Sequence, residues 1–213
     1  EDYLESEVTE TFDKWLLSKL HRTIKISTES FSEHRFFRPK AETEKFFWQV
    51  FCDQYLEIVK DRLYNPDKRG EGARKSAQQS LYLSILTVLK LMAPVIPHIT
   101  EEIYQLYFAN KEKIKSIHLS QWPEYNEEFV DEEAEKAGDL GVDIINTVRK
   151  YKSENQLSLK EELSELVIIH DGQEIIKNIE DDLKAVLKVK EISFSGETSL
   201  ETEKFAIKIG ISR

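Results

Sequence analysis

Apolar side chains in the first half of this chain recur at the spacing of amphipathic helices. From about Glu7 to Thr28 they fall at intervals of three and four, which places them on one face of a helix. The same spacing predicts further helices from Pro39 to about Tyr64, from Glu71 to Met92 and after Thr100. Only seven glycines and five prolines interrupt the 213 residues. Four helices joined by short loops predict a helical bundle.

Residues that break or cap helices separate these four stretches. Pro39 suits the first turn of a helix, because its missing N–H leaves no intrahelical bond unmade there. Asn65 to Gly70 has the composition of a turn. Pro94 and Pro97 interrupt the third pattern, and we expect Thr100 to cap the fourth helix with its hydroxyl.

The helical spacing also predicts which side chains form the core. Trp15, Trp48, Phe51 and Tyr55 are expected to be buried, and the single cysteine, Cys52, is expected to be a core thiol. On the fourth helix the expected inner face consists of Ile103, Leu106 and Tyr107.

Beyond about residue 120 the pattern changes to a mixture of helix and strand. A long charged helix is predicted from Asp131 to about Ser153, and a second helix from Ile175 to Leu187. Strands are predicted at Leu163–His170, Val189–Ser195 and Lys204–Ile211, two of them from alternation of apolar and polar residues. The predicted fold is therefore mainly α, with a helical bundle in residues 1–120 and a small α+β subdomain in residues 121–213. Ile117 to Pro123 is expected to be an extended connector.

Several classes of function find no support in the sequence. There is no Gly-rich phosphate loop, no Cys-x-x-Cys and no His-Glu-x-x-His, and the five histidines lack metal-ligand spacing. We therefore predict no catalytic residue and no metal site. One cysteine allows no internal disulfide, and no apolar run is long enough to span a bilayer. These features favour a soluble protein of the reducing cytoplasm, and the first residue, Glu1, suggests a piece of a longer chain.

The net charge of −10 is unevenly distributed. Residues 1–13 hold six acids and no base, whereas residues 14–75 hold fourteen Lys and Arg against nine acids. Residues 120–165 hold thirteen acids against five bases. Because phosphate binding depends on local Lys and Arg, the first two helices are where RNA binding is expected.

The segment from His34 to Lys40 carries the strongest chemical signal. Single-stranded RNA is bound by stacking bases on aromatic rings while Arg and Lys hold the phosphates. Here Phe36 and Phe37 would stack, and Arg35, Arg38 and Lys40 would supply charge. The competing interpretation is that the two phenylalanines anchor the loop, and at least one of them is expected in the core.

Two further basic sets are less specific. Bases around the end of the second helix are expected to be a solvated helix end; they are Lys60, Arg62, Lys68, Arg69, Arg74 and Lys75. Arg149, Lys150 and Lys152 close the long helix of the second subdomain, where bases also complement the helix dipole. Arg22 on the first helix adds charge to the candidate RNA site.

Five segments, in this order, resemble the anticodon-binding region of valyl-tRNA synthetases. They are Asp13-Lys-Trp-Leu-Leu-Ser-Lys-Leu20, Phe47-Trp-Gln-Val-Phe-Cys-Asp-Gln-Tyr-Leu-Glu-Ile-Val-Lys60, Ala93-Pro-Val-Ile-Pro-His-Ile-Thr-Glu-Glu-Ile103, Ile117-His-Leu-Ser-Gln-Trp-Pro123 and Val148-Arg-Lys-Tyr-Lys-Ser-Glu-Asn155. Gln54 stands where that family usually has a second Trp, and His98 where it more often has Phe. The resemblance covers roughly residues 10–155.

The resemblance implies an anticodon-binding bundle that holds the anticodon stem-loop of valine tRNA. The RNA-contacting residues would be Arg22, Arg35, Phe36, Phe37, Arg38, Lys40, Arg149, Lys150 and Lys152. The class I signatures His-x-Gly-His and Lys-Met-Ser-Lys-Ser are absent here, so this chain is expected to need no cofactor and to catalyse nothing. Upstream catalytic and editing domains of the same polypeptide, using ATP and Mg, would carry the ligase activity. A monomer is the default expectation.

Three alternatives stay open from the sequence. The module could belong to an isoleucyl rather than a valyl enzyme. It could instead be a protein-interaction module whose acidic second subdomain binds a basic partner. A stand-alone hydrolase or transferase would require a group of perturbed titrating residues, and the sequence indicates none.

Overall fold

The first helix of the computed structural model confirms the predicted amphipathic pattern. The structure describes residues 7–198, 200–202 and 204–211, and its first helix, α1, spans Thr11–Ser32. The large apolar side chains buried on α1 are Phe12, Trp15, Leu16, Leu17, Leu20 and Ile24. Because they recur at intervals of three and four, one side of α1 lies along the centre of the core.

The second helical stretch is continuous but changes its hydrogen-bonding pattern along its length. It consists of α2 (Phe37–Lys45), a π-helix (Phe46–Tyr55) and α3 (Leu56–Tyr64). Pro39 lies in the first turn of α2, which confirms its predicted position. The π-helix was not predicted; such i→i+5 segments are rare and often lie at functional sites. Five of its ten residues are aromatic.

The third and fourth helices follow after a short turn. One helical turn, α4 (Pro66–Arg69), leads through Gly70, which has a φ of 89°, into α5 (Glu71–Met92). The next helix, α6, spans Pro97–Tyr107 and begins with its proline. Thr100 therefore lies inside α6, where its hydroxyl donates back to the Ile96 carbonyl at 3.0 Å, and the prediction that Thr100 caps the helix is wrong.

The inner face of α6 differs from the prediction by about one residue. The buried ring on this helix is that of Tyr104, whereas Ile103, Leu106 and Tyr107 are exposed, Leu106 to 76%. Tyr104 and Phe108 instead pack in a separate cluster with residues of α5 and the connector. A four-residue helix, α7 (Ala109–Glu112), closes this part of the chain.

The connector to the second subdomain is extended except for two short 3₁₀ turns. These turns are Ile117–Leu119 and Glu127–Phe129. Trp122 packs edge-on against Phe31 at 5.1 Å, and its indole N–H donates to the Thr28 hydroxyl at 2.9 Å. The connector is thereby attached to the C-terminal end of α1.

The long charged helix packs directly against α1. This helix, α8, spans Glu132–Glu154 and is capped by Asp131, whose carboxylate accepts the Ala134 N–H at 2.9 Å. The Trp15 indole N–H donates to Asp139 at 2.8 Å. One continuous group of buried apolar residues joins α1, α3 and α8 to the sheet that follows.

The rest of the described chain forms a small sheet covered by helices. The predicted helix over Ile175–Leu187 is broken at Asn178 into two. The elements are β1 (Leu163–Ile169), α9 (Gln173–Lys177), α10 (Glu180–Leu187), β2 (Val189–Ser193), β3 (Leu200–Glu201) and β4 (Ala206–Ile211). The strand order is β2-β1-β4-β3, with β1 parallel to β2 and antiparallel to β4. The fold is therefore mainly α with a small α+β part, as predicted.

Gly138 sets the close approach of α1 and α8, which leads to a stability prediction. A Cβ at Gly138 would lie 2.3 Å from two ring carbons of Trp15, and that ring is held by its bond to Asp139. We expect Gly138→Ala to lower the free energy of unfolding by about 1–3 kcal/mol through overpacking. Urea unfolding of the variant and of the unaltered chain measures this difference in the free energy of unfolding. Gly72→Ala in α5 is the matched control, because nothing lies within 4 Å of the added Cβ, and an equal loss there would contradict the explanation.

Candidate RNA interface

The turn between α1 and α2 presents two phenylalanines to solvent. Phe36 is 61% exposed and Phe37 is 78% exposed, so the expectation that at least one of them lies in the core is wrong. The Phe36 ring centroid lies 6.0 Å from that of Phe31, with the rings tilted, and 6.1 Å from that of His34, with the rings nearly perpendicular. Both rings therefore leave a face accessible for stacking.

The way α1 ends explains why this turn is so tightly formed. His34 adopts a left-handed conformation with φ of 59°, and the Arg35 N–H donates back to the Ser30 carbonyl at 2.8 Å. The His34 N–H donates to the Phe31 carbonyl at 3.0 Å. This is the Schellman arrangement that satisfies the last carbonyls of a helix. It places the next residues, Phe36 and Phe37, beyond the end of α1.

The basic side chains of this turn differ in whether they form ion pairs within the protein. Arg35 is paired with Glu33, and the Lys40 ammonium lies 2.7 Å from both carboxylate oxygens of Glu44. Arg38 is exposed and has no ion pair with any residue in the described ranges. The guanidinium of Arg38 is thus the cation that is most available at this turn.

Trp48 extends the aromatic surface along the same helical stretch. It is 59% exposed, so the prediction that Trp48 lies in the core is wrong, whereas Trp15, Phe51 and Tyr55 are buried as predicted. Trp48 follows Phe37 by eleven residues along the same helical stretch, and the last three of these residues belong to the π-helix. Three consecutive aromatics, Phe46, Phe47 and Trp48, cannot all face one core, and this was the sequence signal that could have revealed Trp48.

A row of rings connects Trp48 to the interior. The Phe47 ring meets that of Trp48 edge-on at 5.0 Å, and the Phe47 and Phe51 rings stack at 6.0 Å. Phe51 in turn stacks with Tyr55 at 6.2 Å. Cys52, on the same turn, is half-buried, and burial raises the pKa of its thiol. The exposed Trp48 ring is therefore backed by a packed row of aromatic side chains.

A buried ionic network holds α3 in place beneath this surface. Both carboxylate oxygens of Asp13 accept from the Arg62 guanidinium, at 2.7 and 2.8 Å. Asp13 also accepts from the Tyr55 hydroxyl at 2.7 Å and the Ser76 hydroxyl at 2.6 Å. Arg62 Nε lies 3.2 Å from Asp182 of α10. The network thus joins α1, α3, α5 and α10. Arg62 is fully buried in it, so the prediction that Arg62 belongs to a solvated helix end is wrong.

The titration behaviour of this network follows from its burial. Burial raises the pKa of the Asp182 carboxyl, against the lowering effect of Arg62 and Arg69. Burial, followed by the charge of Asp13, raises the pKa of the Tyr55 hydroxyl. Burial is the largest single effect and lowers the pKa of Arg62, but the charge and hydrogen bonds of Asp13 and the charge of Asp182 together outweigh it, and the pKa is raised. Arg62 therefore stays charged, and the two aspartates share it.

Arg22 lies apart from the aromatic turn. Its Nε donates to Glu135 at 2.6 Å, and a second guanidinium nitrogen lies 3.9 Å from Glu132. The hydrogen bond to Glu135 is the main cause of the raised pKa of Arg22. Arg22 thus links α1 to the acidic first turn of α8, and its charge is already partnered within the protein.

The three predicted bases at the end of α8 also lie far from the aromatic turn, and one is buried. Lys152 is 2% exposed, and its ammonium donates to the carbonyls of Leu159, Glu161 and Leu187 at 3.3, 2.7 and 3.1 Å. The hydrogen-bond donors of Lys152 are therefore occupied within the protein, and its contact with RNA stays a prediction. Burial lowers the pKa of its ammonium. Lys150 is exposed, 3.9 Å from Glu154, and Arg149 is half-buried.

The structure therefore brings together only part of the predicted set. Arg35, Phe36, Phe37, Arg38 and Lys40 share one turn, to which Trp48 is added. No group of three or more His, Cys, Asp or Glu able to hold a metal ion occurs in the described part of the chain. Within the same ranges, no helix has the length and apolar character needed to cross a membrane.

Comparison with known proteins identifies the class to which this helical module belongs. A family model for the anticodon-binding domain of tRNA ligases matches residues 13–168. The chain belongs to this anticodon-binding family. It is 39% identical over 204 residues to a valine–tRNA ligase of Thermococcus kodakarensis, covering 95% of this chain and 23% of that protein.

Further relatives carry the same name. The chain is 39% identical over 201 residues to a valine–tRNA ligase of Pyrococcus furiosus, covering 93% of this chain and 22% of that protein. It is 38% identical over 203 residues to one from Ehrlichia ruminantium, covering 95% and 24%. The chain therefore spans about a quarter of the length of the curated relatives it matches.

Proposed function

We propose that this chain is the anticodon-recognition module of a valine–tRNA ligase. The observation that carries the proposal is the aromatic–basic surface of the turn and the helix after it, formed by Phe36, Phe37, Arg38 and Trp48. In this proposal the unpaired bases of the anticodon loop stack on the exposed rings. Arg38 bonds a base edge or a phosphate, because it is the cation at the turn that has no ion pair with a described residue.

The proposal assigns the chemistry of ligation to other parts of the same polypeptide. Upstream catalytic and editing domains would activate valine with ATP and Mg and would check the product, while this chain would catalyse nothing and hold no cofactor. The size of the relatives supports the arrangement, since the chain matches only 22–24% of their length. The names of these relatives favour a valyl over an isoleucyl enzyme. A monomer in the cytoplasm is the matching expectation.

The proposal also includes a division of labour between two units, residues 1–120 and residues 121–213. The first would carry the anticodon-reading surface. The second would brace it, and two contacts support this role. The side chain of Arg22 reaches Glu135 on α8, and Arg62 reaches Asp182 on α10.

Trp48 provides a direct test of where the RNA binds. Adding an anticodon hairpin of valine tRNA to the 213-residue chain is expected to quench Trp48 emission, because a stacked base covers the exposed ring. Trp15 is buried, so it should respond little, but Trp122 packs on Phe31 beside the turn and also contributes to the emission. The quenching due to Trp48 is therefore the part that disappears in the Trp48→Phe variant, which should still bind the hairpin. Binding that leaves the emission of the unaltered chain unchanged would contradict the proposed surface.

A further inference from the structure

A groove on the far side of the molecule from the aromatic turn is lined mainly by basic side chains. It runs between α3, the end of α8 and α10, and consists of two adjoining clefts of about 480 and 700 Å³ that share Asp61, Ala185 and Lys188. Nine Lys and Arg residues line the two clefts together, against four Asp and Glu residues. A protein with a net charge of −10 thus concentrates positive charge in one concave place.

Several of these charges are not neutralised by the protein itself. Lys68, Arg149, Lys160 and Lys188 form no ion pair with any residue whose position the structure gives. The acids of the groove, in contrast, are largely occupied; Asp61, for example, pairs with Arg69 at 3.3 Å. The groove therefore has a net attraction for an anion.

The floor of the groove strengthens this attraction. The buried ammonium of Lys152 is held by three backbone carbonyls, and no described carboxylate forms an ion pair with it. Its charge is thus solvated mainly by dipoles. Burial lowers the pKa of this ammonium; the charge of Glu161 acts against that effect, and the charge of Lys188 adds to it. An anion bound above Lys152 and beside Lys188 would relieve the repulsion between them.

We propose that this groove binds the phosphodiester backbone of an RNA stem, through Arg149 and Lys188 in particular. This proposal rests on the proposed function, since it assigns a second contact to the same tRNA. The continuous helical stretch from Phe37 to Tyr64 is about 40 Å long. Tyr64 exposes its ring and lines the same cleft as Arg149 and Lys188. Phosphates held by Arg149 and Lys188 therefore lie beyond the bases stacked on Phe37 and belong to another part of the tRNA.

The test measures binding of the 213-residue chain to intact valine tRNA and to its isolated anticodon hairpin at several salt concentrations. The variant Arg149→Gln with Lys188→Gln is expected to bind intact tRNA about ten-fold more weakly. The slope of log affinity against log salt should fall by about 1.5, since each phosphate contact contributes roughly 0.7–0.9. Affinity for the hairpin should stay unchanged.

The matched control replaces two exposed lysines outside the groove, Lys136→Gln with Lys177→Gln. An equal loss in the control, or an unchanged salt slope in the groove variant, would overturn the proposal. Circular dichroism shows whether each variant is folded. If the Arg149→Gln, Lys188→Gln variant is not folded, the Lys68→Gln, Lys160→Gln variant is measured in its place. If the hairpin fails to quench Trp48 emission in the unaltered chain and in all variants, the proposed function itself is contradicted. Failure of the groove proposal and failure of the proposed function therefore give different results.

Discussion

Replacing Arg62 with alanine is expected to lower the free energy of unfolding by about 3–5 kcal/mol. The guanidinium is fully buried and is bound by Asp13 and approached by Asp182, both also buried. Removing it leaves two carboxylates without their cation in an interior that water does not reach, and that penalty is the large one for buried pairs. Because a domain is stable by only about 5–15 kcal/mol, Arg62→Ala is expected to remove a large share of the total stability. Urea unfolding at neutral pH measures the loss.

Lys60→Ala is the matched control, on the same helix. Lys60 pairs with Glu57 at 2.5 Å, but both side chains are about half exposed, and such pairs contribute less than about 1 kcal/mol. The account therefore predicts a large difference between two cations that are only two residues apart. A loss below 1 kcal/mol for Arg62→Ala would show that the network does not hold α3 in place.

The second large effect concerns RNA affinity. Phe37→Ala and Trp48→Ala are each expected to weaken binding of the anticodon hairpin by about ten-fold to a hundred-fold. Each removes one exposed ring, and stacking of one base on an aromatic side chain contributes roughly 1–3 kcal/mol. Because both rings are exposed, the substitutions should leave the unfolding free energy nearly unchanged. Fluorescence anisotropy of a labelled hairpin measures the affinity.

Tyr107→Ala serves as the control for these two substitutions. Tyr107 is an aromatic residue of similar exposure on α6, away from the aromatic turn. The Tyr107→Ala variant should bind the hairpin with the same affinity as the unaltered chain. Equal losses for Tyr107, Phe37 and Trp48 would indicate a general surface effect and would count against a stacking platform.

Most helices and strands could be predicted because their residue patterns are local. The three-and-four spacing located α1, and Asp131 marked the start of α8. The alternation in Val189–Ser193 located β2. The strand β3 was not predicted, because it has only two residues and alternation of apolar and polar residues cannot be recognised over so short a segment.

The errors arise where tertiary packing selects among residues that the sequence presents as equivalent. Trp48 and Phe51 both fit an apolar helix face, but the π-helix rotates the side chains and leaves Trp48 outside. On α6, packing against α5 selects Tyr104 and excludes Leu106. Lys152 fits a basic helix end, yet two carbonyls of the loop that follows α8 and one at the end of α10 enclose it.

The segment that forms the candidate site could be predicted from the sequence. Which of its charged side chains are ion-paired within the protein could not. Phe36, Phe37 and Arg38 were all named from composition, and they lie together and exposed. The partners of Arg22 on α8 come from residues more than a hundred positions away, and no local pattern indicates them. Sequence reasoning identifies which groups are present, whereas the fold decides which of them are free.

The proposed function requires that this chain recognise the anticodon of valine tRNA. The most direct measurement is binding of the 213-residue chain to valine tRNA, to the same tRNA with its middle anticodon base changed, and to isoleucine tRNA, at two salt concentrations. The account predicts preference for the unaltered valine tRNA that persists at the higher salt. Equal affinity for all three, falling together as salt rises, would contradict it and leave only sequence-independent attraction to phosphate.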